Sequence, residues 1–351
     1  MDPPGRLRAR EPGANAAVTL PTVHTDVPVG RTSGLPLNLL GPRYWPTWLG
    51  LGLLRLIQLL PHRQLLAVGR TIGRMVRRLP LHYAQVARCN LALCLPQLSQ
   101  SEREQVLDEH FEALGMGLCE SAMTWWGSDV QIASLSRIDG IEHLRHALEQ
   151  GRGAILLTAH FTTLEIGARV LNTQVPLNAM HKRPKNGLLA HFFERHRGRH
   201  ALRIFSRDNV RGMVRALRDN ECVWYAPDQS YRKKGAQMIH FFGVPAATNV
   251  FTSRLATLTG AAVLFVGHER LGGSAGYRVS INKAPASYPS DSALEDAEQF
   301  NRFVESEVRR NPAQYWWIHR RFKGLTPDYP NYYGSAARRQ RSTATLNDQP
   351  P

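Results

Sequence analysis

Three runs in the middle of the chain, "AILLTA" (154–159), "CVWYA" (222–226) and "AAVLFVG" (261–267), are apolar at almost every position and only five to seven residues long. Runs this short are not amphipathic helices, and without polar alternation they are not strands with one face in water. They are predicted to be strands buried on both faces. Helical periodicity fills the intervals around 163–173, 185–197, 208–219 and 248–259. Apolar strands alternating with helices predict an α/β fold, with a central, mostly parallel or mixed sheet flanked by helices.

At 351 residues, 43% of them hydrophobic, the chain can bury a large core. It shows no internal repeat and no interdomain linker. A single domain over 62–330 is therefore expected, with its first part helical. In "SQSEREQVLDEHFEALGMGLCESAMTWW", Ser101 and Glu104 have capping-box spacing. Residues 1–43 are rich in Pro, Gly and Arg and lack the apolar core of a secretory signal, so they read as a disordered extension. Residues 331–351 read as a disordered tail. The four cysteines, Cys89, Cys94, Cys119 and Cys222, form no C-x-x-C pair and read as inert buried thiols in a reducing compartment.

The most apolar segment is "YWPTWLGLGLLRLIQLLP", residues 44–61, which is close to the lower limit for crossing a bilayer. On a helix Arg55, Gln58 and His62 share a narrow polar stripe, and tryptophans and leucines cover the rest. A membrane-anchoring transmembrane helix and a helix lying in one leaflet both fit this pattern. The next segment sets Arg63, Arg70, Arg74 and Arg77 beside apolar residues, as a surface drawn to anionic headgroups does. Forty-four Lys plus Arg against 28 Asp plus Glu give a formal charge of +16, which favours nucleic acid, anionic lipid or an acidic carrier protein.

Ligands of open α/β sheets gather at the carboxyl ends of strands. His160 follows the first apolar run and Asp228 the second, so both are expected on one rim. Glu165 lies five residues beyond His160, about 140° away on a continuous helix, so the two can meet only if the helix starts near Thr162. A catalytic pair is one reading. The other is a capping box in Thr162-Thr163-Leu164-Glu165, which needs no catalysis. "GGSAG" (272–276) matches a nucleophile pattern but joins two strand-like runs and reads as a hairpin loop. His196 and His200 are spaced i, i+4 without a third ligand, and no metal site, P-loop or dinucleotide motif is expected.

Taken in order, "CNLALCLP", "HFTTLE", "RPKN", "APDQ", "SRLATLTGAAVL" and "QYWWIHRRFK" resemble the lipid A biosynthesis acyltransferases, most closely the lauroyl type, over residues 41–323. The family is one of H-x-x-x-x-D/E acyltransferases related to the glycerolipid enzymes, and a glycerol-3-phosphate acyltransferase-like domain is implied. The resemblance implies transfer of a fatty acyl group, lauroyl in the best match, from acyl carrier protein to a hydroxyl on a 3-hydroxyacyl chain of a Kdo-bearing lipid A precursor. It places this step of lipopolysaccharide biosynthesis at the cytoplasmic face of the inner membrane, with no cofactor and no metal. The partners it implies are acyl carrier protein, the lipid A precursor and membrane lipid, not nucleic acid. His160 is implied as general base and Glu165 as the acid that orients it. Arg199 and Asp228 correspond to active-site positions that bind substrate or stabilise the transition state. Arg183, Asn186, Arg320 and Arg321 are weaker candidates for headgroup contact.

The chain departs from the lauroyl pattern at Ser230, where an acid is expected after "APDQ", and continues with "YRKKG". A different chain length or glycolipid acceptor, such as a phosphatidylinositol mannoside, is the near alternative. A nonenzymatic basic binder of anionic membrane or nucleic acid is the distant one, without a nucleic-acid-binding motif to support it.

Overall fold

The computed structural model describes residues 35–334 except 182–183, 198–200 and 207–208. Most of the expected extension and tail, together with Arg183, Arg199 and His200, lies outside the described residues. Residues 37–44 form two short 3-10 turns. Helices α1 (Trp45–Ile57), α2 (His62–Arg77), α3 (His82–Cys94) and α4 (Gln100–Trp126) follow. The cap of α4 is Ser99, paired reciprocally with Glu102, two residues before the expected Ser101 and Glu104. Glu104 is instead drawn to Arg77 and Arg88.

Of the two readings of residues 44–61, helix α1 goes against the one in which the segment crosses the bilayer. Its 13 residues reach about 20 Å, short of a hydrocarbon core of about 30 Å. No helix among the described residues is long and apolar enough to cross a membrane. The polar stripe faces the protein: Arg55 donates to Gln58 Oε1 at 2.7 Å and lies over the Trp126 ring, while Gln58 is buried. Leu39, Tyr44 and Leu51 pack with Trp125 and Leu188. Trp45, Leu49, Leu53 and Leu56 are turned outward and exposed.

Helices α2 and α4 touch backbone to backbone because Gly69, Gly73 and Gly115 leave room. A Cβ on Gly73 would sit 2.1 Å from the Phe111 carbonyl oxygen. Three of the arginines of α2, Arg70, Arg74 and Arg77, are paired with carboxylates of α4. Arg70 and Arg74 both pair with Glu112, at 3.3 and 3.2 Å, and Arg77 pairs with Glu104 and Asp108.

The alternating half runs α5 (Asp129–Ser134), β1 (Ser136–Asp139), α6 (Ile141–Glu149), β2 (Ala154–Leu157), α7 (Leu164–Leu171), β3 (Leu177–His181), α8 (Gly187–Arg197), β4 (Ala201–Ser206), α9 (Val210–Arg218) and β5 (Cys222–Tyr225). A β6–β7 hairpin (Ala236–Phe241, Val244–Asn249) stands apart. Helix α10 (Phe251–Thr259), β8 (Ala262–Arg270), β9 (Tyr277–Lys283) and α11 (Ala293–Arg310) complete the order. The main sheet is ordered β1-β9-β8-β2-β5-β3-β4, and only its β8–β9 pair is antiparallel among the described strands. Ile155 and Leu157 enter one apolar cluster and Ala154 and Leu156 the other, so both faces of β2 are covered, which is why the run lacks polar residues. "GGSAG" joins β8 to β9 as a hairpin loop. All four cysteines are buried and unbridged.

Candidate active site

Strands β2 and β5 are parallel neighbours in register, Leu157 opposite Tyr225. His160 and Asp228 each lie three residues beyond those positions, so the two overhangs bring them together. The His160 backbone N–H donates to Asp228 Oδ2 at 3.0 Å, and Nδ1 meets Oδ1 at 2.6 Å. The Tyr315 hydroxyl donates to Oδ2 at 3.2 Å. Asp228 is buried while His160 keeps partial exposure. Burial alone would favour the neutral acid, but the His160 ring and backbone N–H outweigh it and hold the Asp228 carboxyl below its ordinary value. Burial likewise opposes charge on His160, yet Asp228 and then Glu165 raise its proton affinity above normal.

Asp228 thus takes Nδ1 of His160, so the ring has a carboxylate partner besides the expected Glu165. Glu165 is close enough for its charge to favour a protonated His160. Helix α7 starts at Leu164 with Thr163 at its cap and no side-chain cap bond, so the predicted box is not formed. The Thr163 hydroxyl is used elsewhere, 2.9 Å from Nδ1 of buried His268. Burial lowers the pKa of His268 to about 4 and keeps it neutral.

A groove of about 530 Å³ runs from His160 and Glu165 along α7 to Arg169 and Asn172. Gly117, Leu118 and Trp125 of α4 form one side, and Met180 and Trp224 lie on the sheet side. This is room for a hydrocarbon chain beside a base. A second, much smaller cavity lies among His160, Asp228, His319 and Arg321. His160 belongs to the walls of both.

The remaining candidates separate. Asn186 is a helix cap: its Oδ1 accepts from the Leu188 and Leu189 N–H groups, and its Nδ2 donates to Thr47. Arg321 is buried and donates to the Ala247 carbonyl and the Thr248 hydroxyl, inside the protein rather than at its surface. Burial lowers its proton affinity, and the charge of Asp228 is among the groups that oppose this. Arg320 is exposed, bonded to His82 and set over the Tyr333 ring. His196 belongs to an aromatic wall with Trp126 and Phe192. Sequence reasoning missed Tyr315, Thr163 with His268, and Arg169. Tyr315 was within reach, since it stands inside "QYWWIHRRFK", whereas Arg169 shows itself only once α7 is packed.

A histidine paired with a buried carboxylate in the wall of an apolar groove is an arrangement that suits group transfer on a lipid. Residues 35–324 match the profile described as bacterial lipid A biosynthesis acyltransferase. The lipid A biosynthesis palmitoleoyltransferase of Escherichia coli (strain K12) is 40% identical over 287 residues, covering 82% of this chain and 94% of that protein. The lauroyltransferase of the same organism is 36% identical, covering 84% and 97%. A lipid A biosynthesis acyltransferase of Haemophilus influenzae is 34% identical, covering 82% and 93%. The chain belongs to the bacterial lipid A biosynthesis acyltransferase family.

Proposed function

We propose that this enzyme transfers a fatty acyl group from an acyl carrier protein thioester to a hydroxyl on a 3-hydroxyacyl chain of a Kdo-bearing lipid A precursor. The observation that carries the chemistry is the His160–Asp228 pair at the groove. With Nδ1 committed to Asp228, Nε2 is the nitrogen left to take the acceptor hydroxyl proton as the oxygen attacks the thioester carbonyl. Asp228 and Glu165 stabilise the resulting imidazolium. Collapse of the tetrahedral intermediate breaks the C–S bond, and His160 returns its proton to the departing thiolate. No covalent enzyme intermediate is needed. Lauroyl is the chain expected from the sequence motifs. The higher identity to the palmitoleoyl enzyme favours palmitoleoyl as the second reading.

The enzyme is further proposed to sit on the cytoplasmic face of the inner membrane, with the exposed stripe of α1 in one leaflet. Trp45, Leu49, Leu53, Leu56 and Leu59 are each more than half exposed. Covering them would yield on the order of 5–10 kcal/mol, enough for interfacial binding.

The test is mass spectrometry of products from a defined precursor and a panel of acyl carrier protein thioesters, with the wild type, His160→Ala and Glu165→Ala. Acyl transfer by the wild type and its loss in both folded variants is the expected result. Full activity in either variant overturns the mechanism. Tight, salt-sensitive DNA binding without transfer would favour the nonenzymatic alternative.

A further inference from the structure

Next to the small cavity lined by His160 and His319, two segments are drawn together on one residue of β7. The Tyr231 N–H donates to the Ala247 carbonyl at 3.0 Å, and the Ala247 N–H donates to the Lys323 carbonyl at 3.3 Å. The Ser230 N–H donates to His319 Nε2 at 3.2 Å, closing the contact. Arg232, next to Tyr231, is thereby brought together with Lys323 and Arg320 on one rim. Neither Arg232 nor Lys323 makes an ion pair among the described residues. Partial burial, with Arg320 and Arg232 close by, lowers the proton affinity of Lys323, and no carboxylate offsets them. Arg320 is braced by His82 and Tyr333. Gathering like charges without a counter-charge is unfavourable, and a compact multivalent anion relieves it best.

We propose that Arg232, Lys323 and Arg320 form the seat of a phosphate monoester on the lipid acceptor. The acceptor is then held by its anionic end on one side of His160, while an acyl chain lies in the groove on the other. The proposal rests on the acyltransferase reading of His160. A dianionic phosphate suits two guanidinium forks and one recessed ammonium. The carboxylate-bearing surface of a carrier protein suits this site less well, because Lys323 is set back from the surface while the flanking arginines are exposed.

The test compares Lys323→Met and Arg232→Gln with Lys283→Met, an equal loss of charge at the exposed end of β9, using phosphorylated and dephosphorylated acceptor. Each rim variant is expected to raise KM for the phosphorylated acceptor about tenfold and to reduce its advantage over the dephosphorylated one, while Lys283→Met matches wild type. An unchanged acceptor KM overturns the proposal. A rise in donor KM instead also overturns it and assigns the rim to the carrier protein. Thermal stabilisation by inorganic pyrophosphate reads the seat without turnover: it is expected in the wild type and lost in Lys323→Met, and equal stabilisation of both overturns the proposal. Wild-type enzyme that transfers no acyl group would instead sink the function proposed above, a result distinguishable from failure of the rim variants.

Discussion

Asp228 receives two bonds from His160 and one from Tyr315, so its charge and its geometry act on the same ring. Asp228→Asn keeps the shape and removes the charge, and kcat is expected to fall roughly 10²- to 10⁴-fold. The pH profile supplies a separate check. His160 serves as a base only when unprotonated, and Asp228 raises its proton affinity. Activity should therefore rise with pH through that elevated pKa, and in Asp228→Asn the inflection should move to lower pH. An unmoved inflection in kcat/KM would deny the coupling. That His160 and Asp228 share a rim was legible, because each follows an apolar run. That they touch was not, since contact depends on strand register and on equal overhangs. Arg320 and Arg321 show the same limit: adjacent in one motif, one is exposed and the other buried against β7.

At the scale of elements, the α2–α4 crossing depends on what is missing. Gly73→Ala places a methyl against the Phe111 carbonyl, and separating the helices should cost about 1–3 kcal/mol, read as a lower midpoint in chemical denaturation. Helix α1 predicts the opposite. Leu49→Glu with Leu53→Glu alters exposed positions, so the melting temperature should hold while binding to anionic phospholipid vesicles drops at least tenfold. Unchanged vesicle binding would remove α1 from the membrane contact. The apolar strands β2, β5 and β8 were legible because both their faces are covered. Strands β6 and β7 were not recognised, because they mix polar and apolar positions in a separate two-stranded hairpin. The role of α1 was open for a different reason: composition gives an apolar stripe but not the direction it faces.

Across the whole molecule, burial sets a limit on acid tolerance. His110 and His268 have ordinary values of 6.5 and are lowered to about 4, chiefly by burial. Unfolding lets them take up protons, so stability is full above about pH 6.5 and falls as the pH drops toward 4. Each contributes at most about 1.4 kcal/mol per pH unit in that window. Denaturation midpoints from pH 7 to 4 should show the decline, and a less steep one in His110→Gln. The outward stripe of α1 is backed by Trp125 and Trp126, and Trp125 also walls the groove, so the face proposed to meet lipid and the chamber proposed to hold an acyl chain share one partition. For an enzyme held that way, substrate is counted per lipid molecule rather than per litre. Diluting the precursor with inert phospholipid at constant bulk concentration should slow turnover, as surface dilution does for an interfacial catalyst.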